Sequence, residues 1–171
     1  MKELKGKLQI VSFIGRSNSG KTTLIAKLIK EFASRGIKTG VIKHSNIRDF
    51  QVDVEGKDTW RYAQAGAVGV AMVISGKVFI LKKTSNEVPL KEIVNFFSGD
   101  VDFILAEGYK QAEIPKVEVI RPEVDRGVLD TITGRIAVVS DSPPEELSGV
   151  PEVPFFRLED VKELADFLLG E

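Results

Sequence analysis

An α/β fold with a mainly parallel sheet, helices on both faces and one β-hairpin is what this 171-residue sequence predicts. Three observations carry that expectation. Apolar runs of strand length alternate with stretches whose apolar residues recur at helical spacing. The first strand runs straight into a glycine-bearing loop, GRSNSGKTT (15–23), which opens a helix. Two further apolar runs are separated only by Ser75 and Gly76, the spacing of a two-residue hairpin turn.

Taken in order, LQIVSFI (8–14) is a short apolar run ending at a glycine and reads as a buried strand. Leu24, Ile25, Leu28, Ile29 and Phe32 then mark one helical face, with Gly36 as the C-terminal stop. IKTGVIKH (37–44) is the second strand. HSNIRDFQVDVEGKDT has mixed polarity without clear period and reads as a long loop. A short helix over 58–67 precedes the hairpin strands VGVAMVI (68–74) and KVFILK (77–82). A helix around 89–98 begins near Pro89. DFILAEG (102–108), PKVEVIR (115–121) and RIAVVSD (135–141) are three more strands, SPPEELSGVPEVP is a proline-rich loop, and EDVKELADFLLG (159–170) is a closing amphipathic helix. With neither an internal repeat nor an interdomain linker, the expectation is one domain over 1–171.

Composition narrows the function classes. Lys and Arg total 24 against 25 Asp and Glu, so a net charge of −1 gives no electrostatic case for binding nucleic acid. The absence of Cys excludes disulfides, thiolate metal sites and a cysteine nucleophile. The start lacks a signal-peptide pattern and no apolar run reaches membrane-spanning length, so a soluble cytoplasmic protein with no membrane association is expected.

Residues 15–22 fit G-x-x-x-x-G-K-[ST], the Walker A template, in the strand–loop–helix context it requires, so the fold is expected to be of P-loop NTPase type. Gly15 and Gly20 permit backbone conformations that let N–H groups converge on phosphate at a helix N-terminus. Arg16, Ser17, Asn18, Ser19 and Thr23 complete the expected phosphate-binding set; Lys21 would reach the outer phosphates, and the Thr22 hydroxyl would join Mg²⁺. A solvated arginine at a loop tip is the competing reading of Arg16.

Such a loop works with an acid at the end of a neighbouring strand. Glu107 follows Phe103–Ala106 and precedes Gly108, which fits that position; an ordinary strand terminus is the alternative. Lys21 and Glu107 are therefore the candidate catalytic groups. Asp102, at the opposite end of that strand, reads as a cap. In the long loop either Asp53 or Asp58 could contribute to metal binding when the loop closes on nucleotide, with Asp53 favoured for metal and Asp58 for capping the helix. His44 is the only histidine and cannot build a zinc site alone.

A carboxylate can accept the N1–H and N2–H₂ donors that guanine presents side by side. No N-K-x-D tetrapeptide occurs, and Asp141, ending RIAVVSD, is the candidate guanine reader; a turn role before Ser-Pro is equally open. Gln51 and Gln64 lack a supporting context for positioning water, and Arg48 and Arg61 are candidate sources of charge, so slow hydrolysis is expected. A small-molecule kinase using ATP is the alternative, weakened by the lack of an arginine-rich lid. The hairpin offers an edge for pairing between chains, although internal packing would use it equally well.

GRSNSGKTTL (15–24), VIKHS (41–45), DVEGKDTWRYAQAGA (53–67), AEGYK (106–110) and VVSDSP (138–143) together resemble the MobB family, molybdopterin-guanine dinucleotide biosynthesis protein B, over nearly the whole chain. The resemblance implies a GTP-binding protein with weak GTPase activity, usually a homodimer. It implies assistance to MobA, the guanylyltransferase that joins GMP to molybdopterin in making molybdenum cofactor. It puts phosphate binding on Gly15 to Thr23 and Mg²⁺ on Thr22, Glu107 and Asp53, and it places Lys57, Asp58, Arg61 and Lys110 toward phosphate or pterin. Molybdopterin becomes a candidate bound substrate, and molybdoenzyme apoproteins become candidate further partners. Two departures stand out. Ser45 and Asn46 replace histidines common in the family, and Glu55 stands where proline often precedes GKD.

Overall fold

The computed structural model describes residues 8–45, 53–97 and 99–171. In chain order its elements are β1 (Gln9–Ile14), α1 (Lys21–Ser34), β2 (Thr39–Lys43), α2 (Asp58–Gln64), β3 (Gly69–Ile74), β4 (Lys77–Lys82), α3 (Leu90–Asn95), β5 (Phe103–Glu107), β6 (Lys116–Val119), β7 (Arg135–Val139), β8 (Phe155–Phe156) and α4 (Val161–Leu169), with a 3₁₀ turn at Pro144–Glu146. The chain divides into two compact units, one of Met1–Ser45 with Ile93–Glu171 and a smaller one of Asn46–Glu92.

The larger unit is built on a six-stranded sheet of order β2-β5-β1-β6-β7-β8 in which every pairing is parallel. Its strands alternate cleanly. Val11, Phe13, Phe103, Leu105, Val117, Val119, Ala137 and Val139 share one buried core with Leu24, Ile25, Leu28 and Phe32 of α1 and Leu164, Ala165 and Leu169 of α4. The opposite face has a second cluster around Ile120, Val138 and Leu147. A Cβ on Gly40 of β2 would lie 3.0 Å from the ring of Phe97, so the turn after α3 lies against the sheet, while α1 and α4 share the main core.

Helix α1 stops where the sequence says it should. Gly36 adopts φ 76°, its N–H reaches the Ala33 carbonyl at 3.0 Å, and Ile37 N–H reaches Phe32 at 2.9 Å, which is the Schellman pattern. Arg35, at the C-cap, pairs with Glu31 and with Asp166 of α4 (2.8 and 2.5 Å), so the two helices are tied beyond their shared core.

In the smaller unit β3 and β4 form the expected antiparallel hairpin, with Ile74 opposite Lys77. Lys83 Nζ donates to the Ala63 carbonyl of α2 at 3.2 Å. The expectation that Asp58 caps α2 is corrected. The N-cap is Lys57, with extended backbone, and Asp58 is the first helical residue. The preceding turn, closed by Lys57 N–H to the Val54 carbonyl, sets the start one residue earlier, and Asp58 instead adds negative charge in the first turn. The expected 89–98 helix is shorter, and Ser98 lies outside the described residues, as do 46–52 of the expected long loop with Arg48 and Gln51. Strand β8 was not anticipated.

Candidate functional site

Strand β1 delivers the chain into the glycine-bearing loop at the C-terminal edge of the sheet, where ligands gather in open parallel sheets. Gly15 has φ 143°, and a Cβ there would sit 2.2 Å from the Val119 carbonyl oxygen and 2.8 Å from Ser19 Oγ. Only glycine fits between β1 and β6 at that point. Asn18 adopts a left-handed conformation (φ 62°), which its short polar side chain tolerates. Gly20 holds the N-cap of α1 with no side-chain cap, and the first turn has no acid. The opening N–H groups of α1 are thus left for an anion.

Lys21 folds back over the loop, donating to the Arg16 carbonyl at 2.5 Å and to Ser19 Oγ at 3.4 Å. Its pKa is pushed below the usual lysine value by burial; Glu107 opposes this, while Lys110 and Lys43 add to it. An ammonium in that setting gains from an arriving phosphate. Glu107 ends β5 between its neighbours, opposite Phe13 of β1 and Lys43 of β2. Its Oε2 accepts the Thr22 hydroxyl at 3.1 Å, and its Oε1 pairs with Lys43 Nζ at 3.2 Å. The structure therefore brings Lys21, Thr22 and Glu107 together. An open cleft of about 360 Å³ surrounds them, lined also by Ser17, Asn18, Gly20, Thr23, Lys43 and Arg121. That volume suits a small-molecule ligand.

The adjacent hydroxyl and carboxylate are hard oxygen donors, the chemistry Mg²⁺ prefers. No group of three or more His, Cys, Asp or Glu suited to a metal occurs among the described residues. The pair fits an ion that draws its remaining ligands from water and phosphate, as Mg²⁺ does.

Other expected site residues sit differently. The Arg16 guanidinium pairs with Asp125 rather than lining the cleft. Asp125 also accepts Gly127 N–H at 3.0 Å, and this bond, with Arg16 beside it, lowers its carboxyl pKa. Asp141 Oδ1 accepts Leu158 N–H at 3.2 Å, and the Leu158 side chain lies 3.8 Å from where a Gly20 Cβ would stand. Asp102 accepts Lys38 N–H at 2.9 Å, a capping role. The His44 ring lies 5.0 Å from that of Tyr109, just beyond Gly108. Asp53 belongs to the smaller unit, where its Oδ1 accepts the Thr59 hydroxyl (3.0 Å) and Val54 N–H (2.8 Å) ahead of α2. Lys57, Asp58 and Arg61 lie in the same unit. Sequence reasoning missed Lys43 and Arg121 as cleft residues; their place at or just beyond parallel-strand ends was the available signal.

The family model of molybdopterin guanine dinucleotide synthesis protein B, MobB, matches residues 10–141. The chain belongs to the MobB family. Among its relatives, the molybdopterin-guanine dinucleotide biosynthesis adapter protein of Haemophilus influenzae is 33% identical over 160 residues, covering 90% of this chain and 89% of that protein. The Escherichia coli adapter protein is 32% identical over 172 residues, covering 96% and 94%. The crystal structure of Bacillus subtilis MobB superposes with a TM-score of 0.75 at 27% identity, covering 95% of this chain and 97% of that one. A MobB homologue from Bacillus stearothermophilus gives 0.71 at 26% identity, with 94% and 95% covered. The MobB structures share the mainly parallel, P-loop NTPase-like sheet described above.

Proposed function

We propose that this protein is a GTP-binding adapter with weak GTPase activity that assists a MobA-type guanylyltransferase in attaching GMP to molybdopterin. Membership of the MobB family, with relatives named as adapter proteins of molybdopterin-guanine dinucleotide biosynthesis, supports the pathway. The observation that carries the nucleotide reading is the Thr22 hydroxyl on the Glu107 carboxylate at 3.1 Å, beside Lys21 and the uncapped start of α1. In this reading the 15–23 backbone binds the phosphates, Lys21 takes the outer ones, and Thr22 and Glu107 hold Mg²⁺, which when bound would neutralise phosphate charge. Asp141 reads guanine. Slow hydrolysis belongs to this reading because neither Gln51 nor Gln64 has a sequence context for positioning water. The proposed setting is the cytoplasm and the proposed assembly a homodimer, with molybdopterin and molybdoenzyme apoproteins as further candidate contacts; among the described residues no helix is long and apolar enough to cross a membrane.

The test is calorimetric titration of the full chain with GTP and with ATP, each with Mg²⁺. A clear preference for GTP, reduced at least severalfold in Asp141→Asn, is expected. A preference for ATP would overturn the adapter reading in favour of a kinase, and an unchanged ratio in the variant would remove the role of Asp141.

A further inference from the structure

The Glu107 carboxylate is shared between two elements. Thr22 of α1 donates to Oε2 from one side, and Lys43 of β2 pairs with Oε1 from the other. The β2–β5 register sets Lys43 directly opposite Glu107, so the contact is built into the sheet. The two partners differ in freedom. The Glu107 side chain is 13% exposed and that of Lys43 is 59% exposed. The carboxylate is fixed, and the ammonium, on a flexible four-carbon stem, is the member that can leave.

A divalent cation ligated by Thr22 and Glu107 must compete with Lys43 for that carboxylate. Among the described residues Glu107 is the only acid lining the cleft, against Lys21, Lys43 and Arg121. A bare cation meets net positive charge and two protein oxygens. A cation arriving with phosphate brings both negative charge and further ligands. We infer that Lys43 is a positioning residue that holds Glu107 against free metal, so that the cleft accepts a divalent cation only together with nucleotide phosphate. Once displaced, its ammonium remains at the cleft, where phosphate oxygens take it up. This inference rests on the proposed Mg²⁺ role of Thr22 and Glu107. An ordinary half-exposed ion pair, by contrast, would contribute little to anything.

Mn²⁺, followed by electron paramagnetic resonance, probes the site in the full chain without nucleotide. Lys43→Met is expected to tighten Mn²⁺ binding roughly fivefold or more. Lys43→Arg, which keeps the charge, should stay near the wild type. Lys110→Met should have a distinctly smaller effect, because Lys110 acts through space and not on Glu107. If Lys43→Met fails to fold, Lys43→Gln replaces it. Unchanged Mn²⁺ affinity, or an equal effect from Lys110→Met, overturns the inference. A parallel titration of the wild type with Mg²⁺ and GTP separates the two failures. No binding there sinks the proposed function, whereas normal binding with an unaltered Lys43→Met sinks only the role of Lys43.

Discussion

At the scale of single residues, Lys21 and Gly15 make the sharpest statements. Burial lowers the Lys21 pKa, so between that value and the ordinary lysine value the folded protein holds fewer protons than the unfolded chain. Stability of the free protein therefore gains from this group as pH rises through that window. Phosphate contact restores the proton, so nucleotide binding has the opposite slope and weakens with rising pH. Calorimetry in two buffers of unlike ionisation enthalpy, at a pH inside that window, should register proton uptake on GTP binding; none there would mean that Lys21 does not meet phosphate. Gly15→Ala would drive a Cβ into the Val119 carbonyl. The expected loss is about 2–4 kcal/mol in urea denaturation, because backbone and not a flexible side chain must yield.

At the scale of elements, Arg35 illustrates how a helix end becomes a joint. It closes α1, its side chain reaches Glu31, Asp166 and Glu171, and these contacts raise its pKa, first of all through Asp166. Arg35→Ala should cost about 1–2 kcal/mol, less at high salt, as read from thermal denaturation with and without added salt. Elements were legible where their signal is local. β1 and β5 are largely apolar because parallel strands are covered on both faces, and Gly36 marked the end of α1 by its backbone alone. β6 was found, yet its alternation misleads about exposure, since Lys116 and Glu118 are each 1% exposed. Coil covers that face: Lys116 donates to the Ala112, Ile114 and Thr133 carbonyls, and Glu118 accepts Leu129 N–H and pairs with Arg135. β8 has two residues, too few for any period to show. The same division holds in the candidate site. The loop template and the acid closing β5 are written locally, whereas Lys43 on Glu107 and Arg16 on Asp125 exist only through tertiary pairing.

At the scale of the whole molecule, the hairpin bears on assembly. Val73 (75% exposed), Val78 (66%) and Ile80 (57%) share one face of the β3–β4 register. Exposed apolar residues sharing one face favour the proposed homodimer. Sedimentation should find a dimer in the wild type and a monomer in Val73→Lys/Ile80→Lys; a wild type that stays monomeric at micromolar concentration would remove the proposal. The six-stranded sheet has the converse property at its ends. A sheet stops growing only if its last strands make poor templates for another chain. β8 offers just Phe155 and Phe156, with Pro154 before them, while β2 is bracketed by Lys38 and Lys43. Brevity, proline and like charge each discourage edge-to-edge accretion. Lys43, paired with Glu107, thus also places a charge on an edge strand of the sheet, where charge disfavours pairing with another chain.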